Sequence, residues 1–315
     1  MTFARDVTLR QLRGFAEVLR RGSVAAAAER LNLTAPAVST QLKTLETLVG
    51  APVLDRTGGA LRPTEVGEEL VRTMRLIETA LARCDERIAL LRAGAAGLVR
   101  LGVVSTGKYF APGLVARFNR ANPGITLHLT IGNRDDIVEA LGAHGIDMAV
   151  MGRPPESLEV VARRLGPHPY VMIAPPDHPL ANRPMVEAEA LLSETFLARE
   201  LGSGTRTLMM RELDQLGGGR SYRVVEMASN ETIKQAVMAG LGIAMLSAHT
   251  VHTELAEGKL VALAVPGLPV MRHWFLIHLA DEEPSPAATV FRDFVLSLDG
   301  AFLPGAAGQG TENRA

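Results

Sequence analysis

The sequence predicts an α/β protein with an all-α-rich N-terminal module, and three observations carry that prediction. Residues 1–64 hold short helical periodicities, residues 65–92 hold a seven-residue apolar repeat, and from Leu98 onward short runs of β-formers alternate with amphipathic helical segments. A chain of 315 residues suits two or three domains, and 47% hydrophobic with 21% charged residues is a globular composition. The expected divisions are a helical module at 1–64, one long helix at 65–92, a hinge at 93–97, an α/β body at 98–302 and a disordered tail at 303–315. Within the body, one lobe comprises 98–168 with 270–302 and the other comprises 169–269.

Cys84 is the sole cysteine, which excludes an internal disulfide framework. The opening "MTFARDVTLRQLRGF" lacks the apolar core of a signal peptide, and no stretch approaches the roughly 18 apolar residues of a membrane span, so a cytoplasmic protein without a membrane role is expected. Net charge is −1 overall, yet residues 1–62 hold nine Lys and Arg against five Asp and Glu. A basic module on an acidic body points to a local polyanion contact, because phosphate neutralisation needs clustered cations rather than a basic chain.

In the module, Leu9, Leu12, Phe15, Ala16 and Leu19 follow helical spacing and stop at Gly22. Ser23 can cap a second, alanine-rich helix that permits close approach of a neighbour. Thr34 can cap a third, with Pro36 in its first turn, where a missing N–H costs nothing. Val38, Leu42, Leu45 and Val49 form that helix's buried stripe, which leaves Pro36, Ala37, Ser39, Thr40, Lys43 and Thr44 on its outer side. Two short helices joined by a tight turn, the second showing small polar side chains, are the pattern of a helix-turn-helix; small residues let a helix enter the major groove. Gly58 and Gly59 then form a turn flanked by Arg56 and Arg62, as in a wing that grips backbone phosphate.

On "FAEVLRRGSVAAAAERLNLTAPAVSTQLKTLE" and "DRTGGALRPTEVG", residues 1–65 resemble the DNA-binding domain of LysR-type transcriptional regulators. The resemblance implies a winged helix-turn-helix in which Thr34, Pro36, Ala37, Ser39, Thr40 and Lys43 meet a double-stranded operator, with Ser23, Arg56 and Arg62 on phosphates. Ala35, Leu54 and Gly59 depart from residues common in the family, so base preference does not carry over.

From Pro63 to Arg92 the only breaker is Gly67. Leu70, Met74, Ile77, Leu81, Cys84, Ile88 and Leu91 recur at spacings of four and three, the seam of a helix paired with a partner helix. A dimerising linker helix is expected, with Cys84 a small buried hydrophobe on the seam, and a twofold dimer predicts an operator with twofold symmetry.

After the hinge "RAGAAG", the strands "LVRLGVVS", "ITLHLTIG" and "IDMAVMG" alternate with helices at 110–121 and 135–143, which implies a parallel sheet. A second series follows at "YVMIAPP", "TFLAR", "YRVVEMAS" and "GIAMLS". The strand "RHWFLIHL" and a helix at 286–298 return to the first lobe. This bilobed plan of two Rossmann-like subdomains resembles the periplasmic-binding-protein-like effector domain of the same family. Ligands in such folds lie at strand C-termini and helix N-termini. Those positions hold Ser105, Thr106 and Lys108; Asn133 and Arg134; Arg153; Ser203, Gly204, Thr205 and Arg206; and Asn230. Hydroxyls, amides and cations so placed make an anion site.

"VVSTGKYFAPGLVARFNRANPGI", "GSGTR" and "SNETIKQAV" resemble the LysR-type regulators of Calvin-cycle operons, although Leu201 departs from the usual residue. That resemblance implies a transcriptional activator of carbon fixation, a sugar-phosphate effector such as ribulose 1,5-bisphosphate, a tetramer, RNA polymerase as a partner, and no cofactor. Enzymatic readings are weak: "GLG" at 240–242 follows a helix instead of a strand, Ser203 has no nucleophile-elbow spacing, and His249 with His252 matches no zinc pattern. A solute-binding receptor would explain the body but neither the basic module nor the heptad seam.

Overall fold

The computed structural model describes residues 3–55, 61–92 and 97–305, which form two compact units, Met1–Glu86 and Arg87–Ala315. Arg56, the expected hinge before Gly97, the side chain of Leu91 and the tail from 306 lie outside the described residues.

The first unit contains helices α1 (Phe3–Asp6), α2 (Leu9–Arg21), α3 (Val24–Leu31) and α4 (Ala35–Val49), strands β1 (Leu54–Asp55) and β2 (Arg62–Pro63), and the start of α5 (Glu65–Arg92). Each boundary has a local cause. Thr8 and Gln11 make a capping box on α2, which ends at Gly22 with φ 68°. The Ser23 hydroxyl accepts from the Ala26 amide at 3.1 Å, and Thr34 caps α4 through the Ala37 amide at 3.4 Å. Leu12, Phe15, Val18, Ala27, Val38, Leu42 and Leu45 bury into one core, each large side chain contributing about 1.5–3 kcal/mol of burial. Leu54, a departure from the family pattern, fills the same core, and β1 pairs antiparallel with β2.

The expected helical seam divides. Leu70 and Met74 are buried in the module's own core and Ile77 packs against it, so these three stabilise the module rather than waiting for a partner. Leu81 and Ile88 are each 42% exposed and Cys84 is exposed in the single chain. The heptad pattern could not separate the two roles, because a helix that first covers its own domain and then leaves it keeps the same spacing.

The second unit continues with β3 (Gly97–Val104), a 3-10 turn (Ser105–Tyr109), α6 (Ala111–Ala121), β4 (Ile125–Gly132), α7 (Arg134–Gly142), β5 (Met148–Met151) and β6 (Val160–Ala174). Then come α8 (Ala188–Leu192), β7 (Thr195–Arg199), α9 (Gly204–Gly217), β8 (Arg223–Met227), α10 (Asn230–Met238), β9 (Ala244–Ser247), α11 (His252–Ala256), β10 (Val261–Ala262), β11 (Val270–Leu279) and α12 (Pro286–Ser297). β3 lies parallel to β4 and β5, as the strand–helix alternation predicts, and β7 lies parallel to β8.

One feature of this unit was not expected. β6 is 15 residues long, pairs antiparallel with β11 from Val160 to Tyr170 and then with β9, so one seven-stranded sheet runs through both lobes. The expected lobe boundary after residue 168 therefore falls inside a strand. Prolines at 167 and 169 obscured it, since such residues argue against a central strand. Leu303, placed in the tail by sequence, is 5% exposed and packs into the first lobe's core with Phe110 and Trp274.

Candidate functional site

The outer side of α4 is built from short side chains whose hydroxyls are tied to their own helix. Thr40 donates to the Pro36 carbonyl at 2.9 Å and Thr44 donates to that of Thr40 at 2.9 Å. These bonds hold each hydroxyl in one rotamer while leaving its lone pairs and methyl group outward. Thr34, Pro36, Thr40 and Lys43 are exposed, while Ala37 and Ser39 are half-buried beside them. Lys43 has no carboxylate partner among the described residues, and Arg62 stands exposed on β2. Two other cations of the module are committed. Buried Glu17 binds Arg20 and Arg21, and the hydrogen bond from Arg21 holds the Glu17 carboxyl below its usual range.

In the second unit a cavity of about 200 Å³ opens where the expected strand ends meet. Ser105, Thr106, Asn133, Arg134, Arg153, Ser203, Gly204 and Thr205 all line it. Ser105 donates to the Gly132 carbonyl at 2.8 Å and receives Arg199 Nη2 at 3.4 Å. Asn133 caps α7, its Oδ1 accepting from the Asp136 amide at 2.9 Å. Arg134 donates to the carbonyls of Arg153 at 2.6 Å and Pro154 at 3.3 Å, so its guanidinium is fixed without being neutralised. Burial, then the neighbouring Arg153, lowers its pKa, and a bound anion would relieve both penalties.

Three expected residues are elsewhere. Arg206 donates to the Arg199 carbonyl at 2.7 Å and pairs with Glu226 at 2.8 Å, outside the cavity lining. The helical phase explains this: Gly204, Thr207, Leu208 and Arg211 make the stripe that faces the cleft, and residue 206 lies off it. Lys108 projects from the 3-10 turn over the Tyr109 ring, 5.1 Å from its centroid. Asn230 is buried and acts one step back, its Oδ1 accepting from Arg199 Nη1 at 2.7 Å.

The cleft also holds residues that sequence reasoning missed: Tyr170, Arg199, Arg211 and Arg272. Arg199 is 3% exposed, at the last position of β7, and is held by Asn230 and by Glu200 at 2.6 Å. Arg272 comes from β11, late in the chain, and has no ion-pair partner among the described residues. Burial pushes the Tyr170 hydroxyl up to about 12. The lining thus contains five arginines and no carboxylate. Fixed guanidinium groups of this kind suit recognition of an anion; among the described residues no cluster of His, Cys, Asp and Glu could hold a metal.

Comparison with known families matches residues 9–68 to the bacterial regulatory helix-turn-helix of the lysR family and residues 92–299 to the LysR substrate binding domain. The chain belongs to the LysR family of transcriptional regulators. Within that family it is 49% identical over 302 residues to the HTH-type transcriptional regulator CbbR of Cereibacter sphaeroides, covering 95% of this chain and 97% of that protein. The CbbR of Xanthobacter flavus is 46% identical, with 94% and 90% covered. These relatives are regulators rather than enzymes. Among solved LysR-family structures, the regulatory domain of Synechocystis PCC6803 CcmR in complex with 2-PG is 34% identical with a TM-score of 0.61, covering 64% of this chain and 97% of that one. The LysR-family regulator CbnR, 20% identical with a TM-score of 0.66 over 92% of this chain and 99% of that one, shares the fold. No helix among the described residues is long and apolar enough to cross a membrane.

Proposed function

We propose that this LysR-type regulator activates carbon-fixation genes in response to a phosphorylated or similarly anionic metabolite held between its lobes. The observation that carries the reading is the cleft lining of five arginines without a carboxylate, two of them, Arg134 and Arg272, lacking an ion-pair partner among the described residues. The names of the CbbR relatives and the 2-PG bound to CcmR support it.

In this reading Thr34, Pro36, Ala37, Ser39, Thr40 and Lys43 face the major groove of a twofold operator in the cytoplasm, with Ser23, Arg56 and Arg62 on phosphates. Leu81, Cys84, Ile88 and Leu91 form the part of the seam that awaits a partner helix, since those of them whose side chains are described are exposed in the single chain. A dimer, and a tetramer of two dimers, then spans paired sites. Effector binding resets the lobes and changes the DNA bend and the contact with RNA polymerase. Coupling can be no larger than the difference in effector affinity between the two arrangements.

The test is a footprint of the purified protein on its operator with and without ribulose 1,5-bisphosphate at fixed salt, beside calorimetry of the same ligand. A protected region that shortens or shifts, with saturable binding, is expected. Protection indifferent to every phosphorylated ligand tried would remove the effector assignment, and no protection would remove the regulatory role.

A further inference from the structure

The lobes also meet beside the cleft, through side chains that do not line it. The 3-10 turn Ser105–Tyr109 begins in the cleft with Ser105 and Thr106 and ends outside it at Tyr109. This turn belongs to the first lobe, whose core takes Val103 before it and Phe110 after it. Opposite stands α10, anchored in the second lobe by Ile233 and Val237. Tyr109 reaches across: its hydroxyl donates to Glu231 Oε2 at 3.4 Å, and Lys234 Nζ lies 4.9 Å from the centre of its ring.

Lys234 gives the ring its purpose. The lysine side chain is buried, and a buried ammonium is tolerated only when it is paired. Both of its carboxylates, Glu254 at 2.6 Å and Glu231 at 3.0 Å, come from its own lobe, so the pairing survives if the lobes part. What the first lobe supplies is cover. The face of an aromatic ring attracts a cation while keeping water from it, and Lys108 stands 5.1 Å from the same ring. Burial, then Glu231 and Glu254, raises the pKa of the Tyr109 hydroxyl, which keeps its proton for the bond it donates. The contact is continuous with the cleft. Asn230, next to Glu231, holds Arg199 Nη1 at 2.7 Å, and Arg199 Nη2 reaches Ser105 at the other end of the same turn.

We propose that Tyr109 is a latch between the lobes: its bond to Glu231 and its ring over Lys234 hold the cleft closed, and their rupture lets it open. The device regulates the cleft without touching what the cleft holds. Lining residues come from both lobes, so the closed arrangement is the one that grips an anion, and a latch favouring that arrangement raises affinity for it. The gain in affinity rests on the cleft being the effector site; the latch itself does not.

The experiment first reads lobe separation with no ligand added. Spin labels are carried by Gly113→Cys, on α6 just after the latch turn, and by Ala239→Cys, at the end of α10; both positions are exposed. The full-length protein also carries Cys84→Ser, and it is diluted with excess unlabelled protein so that pulsed electron–electron resonance reports distances within one chain. Tyr109→Ala and Glu231→Ala should each move the distance distribution to longer or broader values. Tyr109→Phe, which keeps the ring over Lys234, should move it less. Thermal melting identifies any variant that fails to fold, and the half-exposed Glu231 gives a test that does not depend on Tyr109→Ala folding. Affinity for ribulose 1,5-bisphosphate, by calorimetry, should fall about threefold or more in each alanine variant, and the double variant should bind no worse than Tyr109→Ala alone. Distances unchanged in the folded variants overturn the latch, whatever the ligand data. Distances that lengthen while wild type binds no ribulose 1,5-bisphosphate keep the latch and remove the effector assignment.

Discussion

The outer face of α4 and the inter-lobe cleft both present polar groups that suit an anionic ligand, but they are made in opposite ways. On α4 the side chains are exposed and satisfied within one turn of their own helix, as with Thr40 on the Pro36 carbonyl. In the cleft Arg199 is buried and Arg134 half-buried, and both are held by residues far away in the chain. Arg199 rests on Asn230, and Arg134 on the carbonyls of Arg153 and Pro154. A surface that must slide along many phosphates needs charge without deep commitment; a site that must reject most small anions needs guanidinium groups fixed before the ligand arrives.

The largest expected effect tests the fixed cations. Arg134→Ala with Arg272→Ala should weaken sugar-phosphate binding roughly 100- to 1,000-fold, about 3–4 kcal/mol, measured by calorimetry. A loss under tenfold would show that the cleft attracts anions by general field, as α4 does, and the contrast would disappear.

Acid should distinguish the two units almost as strongly. All eight histidines lie beyond residue 127, so mild acid acts on the body alone. Burial, then the neighbouring His252, lowers His249 to about 4, and burial lowers His168 in the same direction. Between pH 6.5 and 4 the unfolded chain takes up protons that the folded body refuses. Stability is therefore full above the unfolded pKa and declines as pH falls, by about 3 kcal/mol from His249. Denaturant titrations read by Trp274 fluorescence at pH 7.5 and 5 check this; equal midpoints would mean that these rings ionise freely in the fold.

The paired-helix surface comes next. Leu81→Lys with Ile88→Lys should raise the dimer dissociation constant at least tenfold, about 1.4 kcal/mol, by sedimentation equilibrium. The secondary structure should stay intact, because both side chains are already exposed. An unchanged constant would place dimerisation elsewhere. The smallest effect is at the cap of α3, where Ser23→Ala should cost about 1 kcal/mol of module stability by thermal melting, through loss of the bond to the Ala26 amide.

The same contrast explains what could be read from the chain. The caps at Thr8, Ser23 and Thr34 and the stripe Val38, Leu42 and Leu45 are local patterns, and each was legible within a few residues. The cleft was legible at strand ends and helix starts, where Ser105, Asn133, Arg134 and Ser203 follow from topology alone. Arg272 and Tyr170 were not, because they reach the cleft through strands that cross it midway. Arg211 had a signal that was passed over, since it stands seven residues after Gly204 on the face that Arg206 leaves. Arg206 misled because charge in the first turn of a helix is informative only when the phase is right. Leu70 and Met74 showed that one apolar repeat can serve two partners in succession.

The long pairing of β6 with β11 sets the kind of movement that the lobes can make. Ten residue pairs from Val270–Tyr170 to Leu279–Val160 join the two strands as they pass from one lobe to the other. Sliding one strand past its neighbour by a single residue would turn every side chain to the wrong face, so translation is blocked. Bending and twisting about the ribbon keep every pair. The body is a torsion flexure: in the proposed reading, a ligand's grip in the cleft leaves as an angle and not as a displacement.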